Sequence, residues 1–485
     1  MDHFHRKAGN PCADSSNICE DGSSLGGGYR FLMRAVVLDG RREGEPSPVL
    51  DLVLAELDDR GDEVETFCLR ELDMGSCIGC FRCWLKTPGE CVEADEGRQI
   101  AEAVLHSDTV ILISPVTFGG YSAEIKKAQD RWIPLLLPDF GIFHGEIHHM
   151  PRYERYPRWI GIGIQEEAER EEADLFRLLV GRNALNFHAP SYAVEILQGS
   201  DPEPALRSRI REAWDRVDPW PLGRSISSLL PASTVVGGSA VVRSGARDRA
   251  RRVLLIVGSP KVGSPSTSGV LGEYVLARLE TEGWETETLT LRRSLLKEKG
   301  RRELVEKSAA ADLILLVFPL YIDSLPFLLM RALEILAEEP PGLGRETPTE
   351  IAAIVNNGFP EPYQNVIALG ICRRFAEKAG LTWMGGMALG AGEALFGGQR
   401  FGETRRNGLP VDHVKEALDL AASSLAEGHS ISTEATGKIE KSPILLVPFR
   451  LWRRLFIWTA NRHWRRLAAE YEIDSEGIEA QPYSG

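Results

Sequence analysis

From Met33 onward, short uninterrupted apolar runs alternate with longer stretches in which apolar residues recur every three or four positions. The first kind predicts buried strands and the second amphipathic helices. Met33-Arg34-Ala35-Val36-Val37-Leu38 opens the series, a helix follows from about Ser47 to Arg60, and a strand runs from Val64 to Leu69. Beyond a cysteine-rich loop, a helix near 96–106 leads to the strand Thr109 to Ser114, a helix from Ser122 to about Leu137, and the strand Trp159 to Ile164. A further helix and the strand Tyr192 to Ile196 close this half. Apolar strands spaced by helices mean a parallel sheet covered on both faces.

Residues 217–249 turn rich in Pro, Ser and Gly, which breaks the periodicity and suits a linker. A second series then starts, with strands at Val253–Val257, Glu285–Leu289, Leu313–Val317, Ile351–Val355 and about Thr382 to Leu389. The plan repeats after roughly 220 residues, too long for a solenoid and suited to a duplicated domain. The expected architecture is therefore α/β, two tandem doubly wound parallel-sheet domains over 33–216 and 250–425. A head (1–32) precedes them and an arm (426–485) follows.

Composition narrows the chemistry. The 485 residues are 43% hydrophobic and 26% charged, enough for two or three cores. A net charge of −14 argues against a nucleic-acid-binding body, which needs clustered Lys and Arg over a face. The head has no apolar h-region and reads as a disordered tail, not a signal peptide. No stretch supplies the run of apolar residues that a membrane span requires. Eight unevenly spaced cysteines make no disulfide framework, so a reducing cytoplasm is expected, with metal or redox duty for any cluster of them.

Half of those cysteines, Cys77, Cys80, Cys83 and Cys91, share one loop in a C-x2-C-x2-C-x7-C run. Three thiolates at successive x2 spacing can curl around one centre, as a four-iron, four-sulfur cluster requires, whereas zinc sites more often use separated C-x2-C pairs. Zinc and a redox-active thiol set, with Cys80 and Cys83 as exchange partners, stay open.

A second feature lies in the latter half. Strand Val253–Val257 runs into Gly258-Ser259-Pro260-Lys261-Val262-Gly263-Ser264-Pro265-Ser266-Thr267-Ser268-Gly269, followed by a helix. Glycines let backbone N–H groups turn inward, the hydroxyls of Ser266, Thr267 and Ser268 add donors, and the helix N-terminus adds partial positive charge. Neither a Walker nor a G-x-G-x-x-G pattern is present, so a monophosphate fits best. Two further loops, Pro319-Leu320-Tyr321 onward and Asn356-Asn357-Gly358 onward, would lie at the carboxyl ends of neighbouring strands, able to grip a flat ring. Together they suit flavin mononucleotide better than NAD.

At these residues the chain resembles, twice over, the flavodoxin-like NAD(P)H-dependent FMN reductase and iron–sulfur flavoprotein superfamily. In the first half the likeness rests on Cys77 to Cys91, Asp95, Ser114 to Ser122, and Lys126 to Arg131. In the second it rests on Gly258 to Ser268, Pro319 to Pro326, and Asn356 to Glu361. The resemblance implies a flavodoxin-like fold, FMN as cofactor, NAD(P)H as co-substrate, and electron transfer to quinones, flavins or other small acceptors. It also implies ring-side contacts at Pro115, Thr117, Phe118 and Gly119. The first half's own turn, Leu38 to Pro48, carries three acids and one hydroxyl, a poor phosphate cradle unless Arg41 and Arg42 offset them. The second half has no cysteine cluster, and Cys372 reads as a buried apolar residue.

Lesser features carry expectations of their own. His144, His148 and His149 lie in one loop and suit a lid better than a metal site, and Arg152 and Tyr153 are placed to cover a flavin edge or a nicotinamide phosphate. Residues 443–469 hold six arginines, three tryptophans and no acid. Such an arm either packs on its own domain, crosses a homodimer, or makes peripheral contact with an anionic membrane. The leading reading is an FMN-dependent NAD(P)H oxidoreductase. The alternatives are an electron carrier between protein partners and a non-catalytic redox sensor or interaction module.

Overall fold

Both faces of each sheet are buried in the computed structural model, which is why the strands read as continuous apolar runs instead of alternating ones. The structure describes residues 32–42, 48–223, 225–230, 234–235, 237, 250–261, 265–341, 347–396, 399, 401, 411–441 and 448–484. The head with Cys12 and Cys19, most of 231–249, and Val262, Gly263 and Ser264 of the phosphate turn lie outside them. In the first half come β1 (Arg34–Asp39), α1 (Val49–Arg60), β2 (Glu63–Cys68), α2 (Arg82–Leu85), α3 (Glu96–His106), β3 (Thr109–Pro115) and α4 (Ala123–Gln129). They are followed by β4 (Leu136–Phe143), β5 (Glu146–Pro151), β6 (Arg158–Gln165), α5 (Arg170–Asn186), β7 (Tyr192–Gln198) and α6 (Glu203–Asp215). A short α7 (Ser225–Leu229) lies between the halves.

The second half repeats the plan as β8 (Arg252–Val257), α8 (Thr267–Thr281), β9 (Glu285–Thr290), α9 (Glu298–Ala310), β10 (Leu313–Pro319), α10 (Phe327–Glu338), β11 (Glu350–Asn356), α11 (Val366–Lys378) and β12 (Thr382–Leu389). The helices α12 (Gly392–Phe396), α13 (Asp412–Ala426), α14 (Thr433–Ile439), α15 (Phe449–Glu470) and α16 (Ser475–Ile478) complete the chain. The sheet orders are β2-β1-β3-β6-β7 and β9-β8-β10-β11-β12, all parallel. Each is the flavodoxin-like order 2-1-3-4-5.

One expected element differs. The helix from Ser122 stops at Gln129, and Leu136–Phe143 pairs antiparallel with Glu146–Pro151 as a hairpin that the sequence reading took for a loop. Pro134 and Pro138 bracket this change, since proline removes helix N–H donors and disfavours helix at the residue before it. No described helix is long and apolar enough to cross a membrane.

Residues 33–485 pack as one compact unit. On β1, Val36 and Leu38 face a core shared with Leu254 and Ile256 of β8, while Ala35 and Val37 face a core confined to the first half. Across the shared core α4 packs on α10 and α5 on α11. The contact is reciprocal. Pro326 offers no side-chain cap for α10, and Asp130 at the end of α4 accepts the Phe327 N–H at 2.8 Å. Glu334, the matching position of α10, accepts the Ala123 N–H at the start of α4 at 2.9 Å. Each helix thus has a first-turn donor satisfied by a buried carboxylate of the other half, which fixes register more than it adds affinity.

Glu334→Ala, which orphans the buried Ala123 N–H, is expected to lower stability by about 1–3 kcal/mol in thermal unfolding. Glu334→Gln keeps an acceptor and should lose less. Melting temperatures unchanged in both variants would remove the carboxylate from the interface account.

Candidate cysteine and phosphate-turn site

Three loops at the carboxyl ends of β8, β10 and β11 are knitted together by their own backbone. Gly258 N–H donates to Val317, Leu320 N–H donates to the Asn356 carbonyl at 2.8 Å, and Ser268 Oγ donates to Asn356 Oδ1 at 2.8 Å. Gly258 has no alternative, because a Cβ there would lie 2.8 Å from Phe318 Cβ and 3.0 Å from Leu329. Ser259, Thr267 and Ser268 are buried, and Ser266 caps α8 by accepting from Gly269 N–H. Lys261 lies 3.6 Å from Glu393, whose other oxygen is 3.4 Å from Thr267 Oγ1. This carboxylate at the mouth of the turn was not anticipated from sequence.

The ring-side turns of the two halves have the same backbone and different surroundings. Thr117–Gly120 and Tyr321–Ser324 each close with two backbone hydrogen bonds, and both central residues have positive φ. That is the type I′ pattern. Gly119 accepts it freely, but Ile322 at +48° is a β-branched residue in the left-handed region, a strained conformation that its surroundings must hold. Asn183 of α5 donates to the Ile322 carbonyl at 3.0 Å and to Asp323 at 3.1 Å, and Asn186 donates to Asp323 at 3.2 Å. In contrast, Phe118 lies edge-on to Phe375 of α11, and Gly119 abuts Leu175. The first-half turn is thus enclosed in apolar packing. Buried Ser324 Oγ and Asn357 Oδ1 in the second half have no hydrogen-bond partner, the donor and acceptor pattern of a surface shaped for a polar ring.

The first half's phosphate turn, among its described residues, is already committed. Asp39 is fully buried and receives Arg41 at 2.8 Å and Arg70 at 2.9 Å, while Arg42 pairs with Glu334 and Glu338 at 3.0 Å each. Both arginines that the sequence offered as phosphate partners are thus spent on carboxylates.

The cysteine loop of the first half lies against the second half's site. A Cβ on Gly79 would meet Tyr321 Oη at 2.5 Å, Pro260 Cγ at 3.5 Å and the Lys261 backbone N at 3.8 Å. Arg131 fastens the loop from its own half, donating to the Gly75 and Glu93 carbonyls at 2.6 and 3.1 Å and to both oxygens of Asp95. Arg293 fastens it from the other half through the Ser76 carbonyl at 2.6 Å and Glu93 at 2.8 Å. Fully buried Lys126 holds the Tyr321 carbonyl at 2.8 Å and Asp130 at 3.0 Å. Lys126, Asp95 and Arg131 belong to the string that carried the resemblance. Arg293 is the second of two arginines after β9, with no local signal to show which of them crosses to the other half.

Desolvation pushes the Cys77 thiol up to about 12, against the Gly79 N–H that donates to its sulfur, with Asp130, Cys91 and Cys80 adding to the rise. Burial likewise raises Cys83, and the neighbouring Cys77, Cys91 and Cys80 add to it. The four sulfurs are close enough to act on one another. Among the described residues no three His, Cys, Asp or Glu side chains converge on a point as a single metal ion needs. A cubane cluster places one thiolate on each of four irons, around the cluster and not at one point.

The histidine hairpin and its neighbours are structural. Burial drives His149 down to about 3 among Trp84, Phe140 and Phe359, and buried His148 lies 3.3 Å from Glu146. Arg152, read earlier as a flavin or nicotinamide cover, is buried and donates to the carbonyls of Pro134, Leu136, Ile478 and Ala480. It fastens the C-terminal tail. That tail shields the cysteine loop, because Trp464 of α15 lies edge-on to both Phe81 and Trp84 and Pro482 abuts Gly89. Cys372 is buried, as expected.

Residues 33–145 and 251–355 each match the NADPH-dependent FMN reductase family. The chain carries two tandem copies of this family's pattern. An iron–sulfur flavoprotein of Archaeoglobus fulgidus is 38% identical over 104 residues, 21% of this chain and 46% of that protein. An iron–sulfur flavoprotein of Methanocaldococcus jannaschii is 34% identical over 105 residues, 21% and 53% respectively. The chain spans about half the length of the curated relatives it matches. Among solved structures, an NAD(P)H:quinone oxidoreductase from Methanothermobacter marburgensis is 17% identical, with a TM-score of 0.30, covering 38% of this chain and 95% of that one. An FMN-dependent NADH-azoreductase from Bacillus anthracis is 13% identical, with a TM-score of 0.26, covering 36% and 99%.

Two neighbouring carboxylates in the hairpin region titrate far apart. Burial raises Glu146, but hydrogen bonds from His148 and the Arg182 charge bring it down to about 2. Burial pushes Glu361 up to about 7 in spite of Arg453 at 3.0 Å. Between about 4.5 and 7 the folded chain keeps a Glu361 proton that the unfolded chain has released, so stability falls as pH rises through that window, by on the order of 3 kcal/mol. Glu361→Gln should flatten that slope in melting temperatures taken between pH 5 and 8. Parallel curves for the two proteins would contradict the assignment.

Proposed function

We propose that the chain is an FMN-dependent NAD(P)H oxidoreductase, passing electrons to a quinone, flavin or similar small acceptor, with the flavin in the second half and an iron–sulfur cluster on the first. The observation that carries this reading is the contact of the Gly79 loop with Tyr321, Pro260 and Lys261, which brings the cysteines of one half against the phosphate and ring loops of the other. Gly258, Ser259, Lys261, Ser266, Thr267 and Ser268 would hold the phosphate, and Pro319, Leu320, Tyr321, Asn356, Asn357 and Gly358 the ring. Cys77, Cys80, Cys83 and Cys91 would hold a four-iron, four-sulfur cluster. When bound, the flavin supplies hydride acceptance in two-electron units and release singly, and the cluster carries single electrons.

The protein's own part is placement. The helix N-terminus of α8 and Lys261 would offset phosphate charge, with Lys261 and Thr267 exchanging their Glu393 contact for it. Asn183 and Asn186 hold the strained Ile322–Asp323 turn, so the ring-side loop keeps one conformation before any ligand arrives. Arg131 and Arg293 hold the cysteine loop from both sides, and Trp464 with the C-terminal tail keeps water from it. The first half's committed turn suggests a division of labour, in which the loop of Pro115, Thr117, Phe118 and Gly119 would pack instead of gripping a ring, Phe118 against Phe375 and Gly119 against Leu175, and flavin would go to the second half.

Protein purified without oxygen is expected to show flavin absorbance, about four irons per chain, and oxidation of NADH or NADPH with an added quinone. Lys261→Glu should weaken FMN retention roughly tenfold, about 1.4 kcal/mol, with iron unchanged, whereas Arg131→Ala should lose iron and keep FMN. Reduction by ferredoxin with no nicotinamide oxidation would favour the carrier reading. A colourless, iron-free protein would defeat both.

A further inference from the structure

We propose that the outer face of α15 docks onto an anionic lipid surface. The helix cannot roll. Its inner side buries Trp452 and Phe456 against Phe140 and Phe359, and Asn461 grips both the N–H and the carbonyl of Phe140, at 2.8 and 3.2 Å. Asp139 holds Arg465 at 3.4 Å, and Arg453 is turned inward to Glu361.

This anchoring leaves Leu451, Leu455 and Trp458 outward at helical spacing, 57%, 42% and 60% exposed. A burial-driven fold has no use for three large apolar side chains in one exposed stripe, and such patches mark interaction surfaces. Arg450, Arg454 and Arg462 are exposed around the stripe, the last over the Trp458 ring at 5.6 Å. No acid occurs from Phe449 to Ala469, in a chain whose net charge is −14.

Charge and apolarity together select the occupant. An apolar stripe alone would suit any hydrophobic partner, and arginines alone any acid. Tryptophan and leucine entering the headgroup boundary while arginines extend to lipid phosphates is the arrangement of an interfacial helix. The face is separate from the cysteine and phosphate-turn site and does not depend on the flavin reading.

Sedimentation of the full chain with vesicles of phosphatidylcholine, alone or mixed with phosphatidylglycerol, tests this. Binding is expected only to the mixed vesicles and should weaken as salt rises. The variant Leu451→Ser/Leu455→Ser/Trp458→Ser should bind at least about tenfold more weakly with an unchanged melting temperature, and Arg450→Gln/Arg454→Gln/Arg462→Gln should lose the preference for anionic lipid. Absence of binding, equal binding to both vesicles, or undiminished binding by the serine variant would overturn the proposal. So would a concentration-dependent dimer that the serine variant abolishes, since a second copy would then be the occupant.

Discussion

The structure depends on the way each half completes the other. A flavodoxin-like sheet needs helices on both faces, and here one face of each sheet gives onto a core that the two halves share. Burying a Leu or Ile side chain contributes roughly 1.5–3 kcal/mol, whereas exposed ion pairs add about 1 kcal/mol or less, so apolar contact holds the halves together. The reciprocal carboxylates, Asp130 on Phe327 N–H and Glu334 on Ala123 N–H, then select one register from the ways those surfaces can slide. The two halves of one chain thereby meet through matching contacts in both directions.

Once that register is set, the halves are free to differ. The first-half ring turn is sealed by Phe375 and Leu175 and its phosphate turn by Asp39 with two arginines. The second-half ring turn is instead strained and held by asparagines of the other half. The cysteine loop lies over the second site and is clamped by one arginine from each half. An isolated domain would lack one of those clamps.

Much of this was legible in the sequence because it is local. Apolar runs marked the central strands of both sheets, while the edge strands β2 and β9, rich in Glu and Thr, were placed by their position in the strand–helix alternation; the glycine and hydroxyl string marked the turn after β8, and C-x2-C-x2-C marked the loop. What escaped depends on distant residues. Nothing near Phe118 signals that Phe375 will cover it, and nothing near Arg293 signals that it meets Ser76. The hairpin Leu136–Pro151 was missed because Pro138 and Gly141 interrupt its first strand and the adjacent His148 and His149 break the alternation of its second, while α15, which covers it, comes about 300 residues later. Arg152 looked functional from its position alone, yet it donates to carbonyls of Pro134 and Leu136 and to Ile478 and Ala480 of the tail.

The most direct measurement is a crystal structure of the chain purified without oxygen and soaked with FMN, with anomalous data at the iron edge. The expected result is flavin density on the turn after β8 with its ring under the Gly79 loop, iron among Cys77, Cys80, Cys83 and Cys91, and neither in the first-half turn. Flavin between Gly40 and Phe118, or those cysteines joined as disulfides, would contradict it.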